Sequence, residues 1–400
     1  MDLICSVQKY QWGNLGYDSL VGRFAKANSK IVVNENEPYA ELWMGTHPNG
    51  PSYISGTSTK LSDYLNSHPQ DLGQKVLHYF GKQLPFLFKI LSVNQPLSIQ
   101  AHPTKSNAEK LFKRFPNIYK DGNHKPEMAI ALSKFEALCG FRPKTQIKRF
   151  LNEISEFNLL IDSVSLNKFL ASSDCEDSDI SNILMKECFQ LLMSNKEDVV
   201  AAATGKLISR LQGMESSKKE YLHWNLIHRV HSVFPNDIGI FCIYWLNYLE
   251  LAPGEALYLA PNEPHAYLKG DCIECMANSD NVIRAGLTPK FRDIETLCDM
   301  LTYKSYQPNE ILFCPIKEDE YCLLYSPPIR DFAVAKIVLP ENCHYTLQKR
   351  CSASILLIFE GTGTTSTTVL EFGKVLFVPE STEIKIKSNG ITMYQAFCNV

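Results

Sequence analysis

A stretch of helical periodicity over residues 143–234 interrupts a chain otherwise patterned for strands. No other feature restricts the fold as strongly. In this stretch QIKRFLNEISEFNLLI, SNILMKECFQLLMS and VVAAATGKLISRLQG carry apolar residues at i, i+3, i+4 and i+7, the mark of helices with one buried face. Clusters such as SSDCEDSDIS separate them, and Ser or Asp there can cap the next helix. The spacing predicts three or four helices. On either side the pattern is different. LPFLFKIL (84–91) has buried-strand length, LSIQAHP (97–103) follows it, and 125–143 returns to strand-like alternation. A helix is expected over 288–301, and short strands from about Cys314 onward. GEALYLAPNEPH (254–265) and GKVLFVPEST (373–382) share Gly-x-x-apolar-x-apolar followed closely by Pro, but only the first ends in His. A duplicated small barrel, with metal ligands in one half only, accounts for that. The fold class is therefore mainly β with a helical insert. Residues 1–142 and 235–313 form one domain, 143–234 the helical domain, and 314–400 a second β domain.

Charge argues against a nucleic-acid partner, because 40 Lys and Arg stand against 43 Asp and Glu and phosphate-backbone binding needs a basic excess. No run of 18 apolar residues is present to span a membrane. The opening MDLICSVQKYQWG has neither the basic nor the long apolar segment of a secretory leader, and thirteen scattered Cys fit reduced thiols. A cytoplasmic location is the expectation. Cys272 and Cys275 have CxxC spacing without a second pair, and read as small hydrophobes.

Chemistry concentrates in three short segments. Gln100 and His102 are i and i+2 on a strand-like segment and so share a face. Glu127 opens another strand, and His265 sits at a turn. Two imidazoles, a carboxylate and an amide oxygen suit a borderline divalent ion such as Zn²⁺, and the neutral Gln leaves such an ion a stronger Lewis acid. A second group is cationic: Lys89, Lys125, Arg284 and Lys290. Arg284, in an apolar strand, needs a partner, because an unpaired buried charge is costly. A phosphate dianion fits its planar fork; a salt bridge to Glu274 or Asp280 would serve equally.

These segments resemble type I phosphomannose isomerases, zinc enzymes of the cupin superfamily. The similarity runs through YQWG (10–13), AELWMGTHPNGPS (40–52), LPFLFKILSVNQPLSIQAHP (84–103), GNHKPEMAIAL (122–132), FEALCGFRP (135–143) and YLAPNEPHAYLKGDCIECMANSDNVIRAGLTPK (258–290). It implies Gln100, His102, Glu127 and His265 as ligands of one zinc ion per chain, and Arg284 as the catalytic arginine. Lys89, Ser98, His124, Lys125, Tyr267 and Glu274 then line the pocket. The implied architecture is two cupin-like (jelly-roll) β-barrel domains, the second without metal, plus an α-helical domain.

The resemblance also implies interconversion of mannose 6-phosphate and fructose 6-phosphate through an enediolate, in a cytosolic enzyme feeding GDP-mannose synthesis. A sugar phosphate is then the partner, and a monomer is expected. Lys125 and Glu274 both qualify as the base. Arg284 can serve either the phosphate or the enediolate. His124 can assist ring opening or support Glu127, while Trp12, Glu41 and Trp43 need not touch substrate. A cupin oxidase would have no use for the cationic set, and a non-catalytic sugar-phosphate sensor would be expected to lack a ligand or Arg284. His344 stands without companions in the C-terminal part and reads as packing.

Overall fold

The computed structural model describes residues 1–175 and 178–400. Its first half is built on a ten-stranded antiparallel sheet: β1 (Ser6–Gln8), β2 (Glu41–Met44), β3 (Phe86–Val93), β4 (Ile99–Ala101), β5 (Glu127–Ala131), β6 (Phe135–Phe141), β7 (Leu246–Leu251), β8 (Ala256–Leu259), β9 (His265–Ala277) and β10 (Ile283–Gly286). The second sheet has seven: β11 (Ile316–Lys317), β12 (Cys322–Tyr325), β13 (Ala333–Thr346), β14 (Ser354–Thr364), β15 (Val369–Glu371), β16 (Val375–Val378) and β17 (Lys385–Phe397).

The main path of the first sheet runs β7-β6-β9-β3-β2-β1. It branches at β9, a 13-residue strand that changes partners along its length. His265–Lys269 pair with β6, and His265 also faces Gln100 of β4. Gly270–Ala277 pair instead with β3, and Cys272–Met276 with β5. The change falls at Gly270, whose φ is +108° and where a Cβ would lie 2.4 Å from the Lys134 carbonyl oxygen. A side chain there would clash and strain the backbone. β9 thus divides its pairing between two sets of strands, and no closed barrel is found among the described residues. The protein is also mixed in helix and sheet rather than mainly β, since helices occur outside the insert. Leu20–Ala27, Leu61–Ser67, Gln74–Phe80 and Lys105–Arg114 are examples.

Between residues 144 and 233 six α-helices are described, where three or four were expected. The additional ones, such as Ser163–Ala171 and Trp224–Val233, carry shorter apolar stripes. Asp162 and Ser178 cap their helices through backbone N–H groups, as the sequence suggested. Positions 176–177 of that acidic cluster lie outside the described residues. The helix expected over 288–301 is shorter, Ile294–Met300, because Asp293 caps it and the preceding residues form a loop. Beyond Cys314 the strands include two of 14 and 13 residues, β13 and β17, rather than only short ones.

Cores explain how the parts hold together. One apolar cluster joins the insert (Phe157, Phe189, Leu207) to Leu138 of β6, Ala266 of β9 and Ile283 of β10. Another joins Phe88, Met128 and Ile273 of the first sheet to Phe332, Ile355 and Phe377 of the C-terminal part. β3 has all eight residues buried, so both its faces are covered. Cys272 and Cys275 pack into different cores, as i and i+3 on a strand must, and all thirteen Cys are free.

Candidate metal centre

Three side chains predicted as ligands converge. Suitable ligand atoms of His102, Glu127 and His265 lie within 4.8 Å of one another, and all three residues are buried. His102 Nε2 is 3.3 Å from Glu127 Oε1, and His265 Nε2 is 3.4 Å from Glu127 Oε2. The opposite ring nitrogens are engaged. His102 Nδ1 bonds the Asn281 carbonyl oxygen at 2.7 Å, and His265 Nδ1 that of Glu263 at 3.0 Å. A carbonyl only accepts, so each Nδ1 carries the proton and each Nε2 presents a lone pair. Those two Nε2 atoms and Glu127 Oε2 are buried without hydrogen-bond partners. Buried polar atoms are seldom left so, and three of them facing one point fit a metal cation as their common partner.

Charge at the cluster favours the same state. Burial, and next to it Lys125, outweigh the pull of Glu127 and lower the His102 pKa to about 4. Burial opposes ionisation of Glu127, yet His102 and Lys125 hold its pKa well below the usual carboxylate range. Neutral imidazole and ionised carboxylate are the forms that bind metal.

Gln100 reaches the group through register. It lies opposite His265 of β9 on one side and Arg284 of β10 on the other. Cross-strand partners share a face, so His265, Gln100 and Arg284 form one row. Ser98 Oγ donates to Gln100 Oε1 at 3.3 Å, which leaves that oxygen a second lone pair. Arg284 is half-buried, and burial lowers its pKa. Among the described residues its guanidinium has no hydrogen bond or ion pair. The carboxylates that could have neutralised it are occupied: Glu274 pairs with Lys89, and Asp280 with His47 at 3.4 Å. Arg284 lines a cavity of about 400 Å³ together with Lys290 and Tyr119. Lys290 itself is exposed on the loop after β10 and, among the described residues, forms no ion pair with Glu127.

Beside the cluster is a buried ionic row. Lys89 Nζ is 2.8 Å from Glu274 Oε2 and 3.3 Å from Glu41 Oε2, and lies 5.2 Å from the Trp43 ring centre. Trp43 Nε1 donates to the same Glu41 oxygen. Burial disfavours the Lys89 charge, but Glu274 and Glu41 together raise its pKa, so it remains an ammonium. Burial, the largest influence, raises the Glu274 pKa, with Lys89 opposing and Glu127 adding to it. Lys125 Nζ is 3.3 Å from Glu127 Oε1, at the edge of the ligand set. Tyr267, two residues beyond His265 on β9, has a buried hydroxyl with no hydrogen-bond partner among the described residues.

His124 takes a different partner from the one considered. Its Nε2 is 3.0 Å from Asp331 Oδ1 of the C-terminal part, not bonded to Glu127. Sequence reasoning also passed over Glu41 as a charge partner, and Asn281 and Glu263 as the carbonyls that orient the imidazoles. Nothing in the sequence flags a carbonyl acceptor, whereas Glu41, two residues before an aromatic in a buried strand, was a readable signal.

Comparisons with known proteins agree with this geometry. Family models for type I phosphomannose isomerase match the catalytic domain over residues 1–144, the helical insertion domain over 160–246 and the C-terminal part over 322–368. The chain is 44% identical to the mannose-6-phosphate isomerase of Macaca fascicularis, covering 99% of this chain and 98% of that one. It is 40% identical to the mannose-6-phosphate isomerase of Schizosaccharomyces pombe, over 100% and 99%. A solved mannose 6-phosphate isomerase bound with zinc and yttrium superposes with a TM-score of 0.85 at 31% identity, over 100% and 99%. The apo form from Salmonella typhimurium has the same TM-score at 30% identity and the same coverage. With convergent ligands, an unpaired arginine and full-length similarity together, the chain belongs to the type I phosphomannose isomerase family.

Proposed function

We propose that this chain is a zinc-dependent isomerase interconverting mannose 6-phosphate and fructose 6-phosphate through an enediolate. The carrying observation is the convergence of three buried, unpartnered ligand atoms beside an arginine without a counter-charge. His102, Glu127, His265 and Gln100 hold one zinc ion per chain. Held by these residues, zinc would supply a Lewis acid to the substrate carbonyl, which favours loss of the neighbouring proton. Arg284 offers five fixed donors to negative charge, on the phosphate or on the enediolate. Either Lys125 or Glu274 carries the proton between C1 and C2. Lys125 reaches the ligand set directly, whereas Glu274 is bonded to Lys89. Lys89 keeps the Glu274 and Glu41 carboxylates in place, and Ser98, His124 and Tyr267 supply hydrogen bonds to the sugar. The domain limits drawn from the sequence belong to this reading, as do a cytoplasmic monomer and supply of GDP-mannose synthesis.

The test is a coupled assay of mannose 6-phosphate to fructose 6-phosphate, before and after chelation and with zinc restored. Loss on chelation and recovery with zinc are expected. A folded, zinc-loaded sample without turnover would overturn the assignment.

A further inference from the structure

The contact between His124 and Asp331 crosses from one sheet's territory to the other's. Asp331 belongs to the loop leading into β13, directly before Phe332, and is 4% exposed. Phe332 and Val334 are anchored in the core shared with Met128, Ile130 and Ile273. The carboxylate is therefore carried on a rigid element rather than a mobile tip. His124 is fixed from the other side as well. In its own loop, the Asn123 side chain donates to the Asn278 carbonyl at 2.8 Å, and the Asn123 carbonyl accepts from Asn281 at 3.0 Å. Asp121 accepts from Ser279 at 2.9 Å and from the Asp280 backbone N–H at 2.8 Å. The same 278–281 segment supplies the carbonyl that orients His102. One loop pair thus orients a metal-ligand imidazole and holds the backbone on which His124 stands, while among the described residues Asp331 is the hydrogen-bond partner of the His124 ring.

Resting on the functional reading above, we propose that Asp331 is a positioning residue that the C-terminal domain contributes to the active site. An ionised carboxylate only accepts, so the 3.0 Å contact places a proton on His124 Nε2. In the neutral ring this leaves Nδ1 as an acceptor for a sugar hydroxyl, and among the described residues Nδ1 has no other partner. The second sheet then has a role in substrate recognition without any metal ligand of its own.

The experiment combines a double-mutant cycle with spectroscopy of the full chain loaded with zinc. Asp331→Ala should lower kcat/KM for mannose 6-phosphate by roughly tenfold, the scale of one lost charge-assisted hydrogen bond. Asp331→Asn keeps an acceptor oxygen at the same place and should restore most of that loss. In a His124→Ala background, Asp331→Ala should cost almost nothing more. Full activity of Asp331→Ala, or a loss that simply adds to that of His124→Ala, would overturn the proposal. Should Asp331→Ala not fold, Asp331→Asn and the wild-type spectrum decide. Imidazole ¹⁵N spectra, with the His124 signal assigned by its absence from His124→Ala, should show the Nε2-protonated ring; a proton on Nδ1 alone would overturn the proposal. Because the spectra need no turnover, an inactive wild type would refute the functional reading without obscuring this one.

Discussion

Residues 254–265 and 373–382 each run from a glycine through a four-residue strand, β8 or β16, into a proline-containing turn. Both turns pass through a left-handed residue, Asn262 at φ +67° and Ser381 at φ +56°. Beyond the first turn comes His265, 1% exposed; beyond the second the chain resumes at Lys385, exposed. The interiors differ in the same way. The first sheet buries Glu41, Lys89, Glu127, Glu136 and Glu274 in its strands. The strands of the second sheet bury Ser354, Ser388 and Gln395 but, among the described residues, no charged side chain. A common strand-and-turn device is thus filled with ligands and charges in one place and with apolar side chains in the other. Burying charge costs desolvation, which Lys89 offsets for Glu41 and Glu274 and Arg229 for Glu136.

That contrast can be broken by experiment. The largest effect is expected at His265. Removing its Nε2 by His265→Ala should abolish stoichiometric zinc, read by elemental analysis, and lower kcat by roughly a thousandfold, the order of a lost Lewis acid. Next is Lys89→Met, which strands the Glu41 and Glu274 carboxylates in the interior. A cost of about 3–5 kcal/mol is expected from urea unfolding, with activity lost as well. If Lys89→Met were neutral, the ionic row would have no structural meaning. Ile358→Ala, in the core of the second sheet, is the counterpart. It should cost about 2–5 kcal/mol through transfer and cavity terms. Its kcat per folded molecule should stay within a factor of two of wild type. A large kcat change there would erase the difference between the sheets.

The smallest expected effect is on pH dependence. In metal-free protein, burial holds the His102 pKa at about 4, whereas an unfolded His titrates near ~6.5. Between those values the unfolded chain binds a proton that the folded one refuses. Stability present above pH ~6.5 is therefore lost as pH falls toward ~4. His223 of the insert, lowered to about 4 by burial and then by Arg142, adds to the same slope. His102→Gln should remove one of the two contributions, seen as a shallower fall of Tm with acidification.

Much of the ligand set was legible in the sequence. His102 and His265 are two of only ten His, whereas Glu127 is one of many carboxylates, so residue type suggested a metal of intermediate softness and the family resemblance picked out the positions. The fold was legible where periodicity was long, as in Asp179–Met193 and Glu197–Gln212. It was misread where pairing decides the outcome. Local alternation cannot show that β9 changes partners at Gly270 and serves two sets of strands. It also overextended the helix at 288–301, because Asp293 can start a helix as its N-cap as readily as sit inside one.

Residue identity by itself determined which atoms can bind metal, carry charge or cap a helix, since those are properties of single side chains. Tertiary structure decided which of them meet. His102 and Glu127 are 25 positions apart and His265 lies far beyond both, and only the pairing of β4, β5 and β9 brings them together. It also decided that Arg284 keeps no counter-charge while Lys89 takes two, and that Asp331 reaches His124 across a shared core. The physical reason is that pairing energies are collective: burial and register select one arrangement from many that the same local patterns allow.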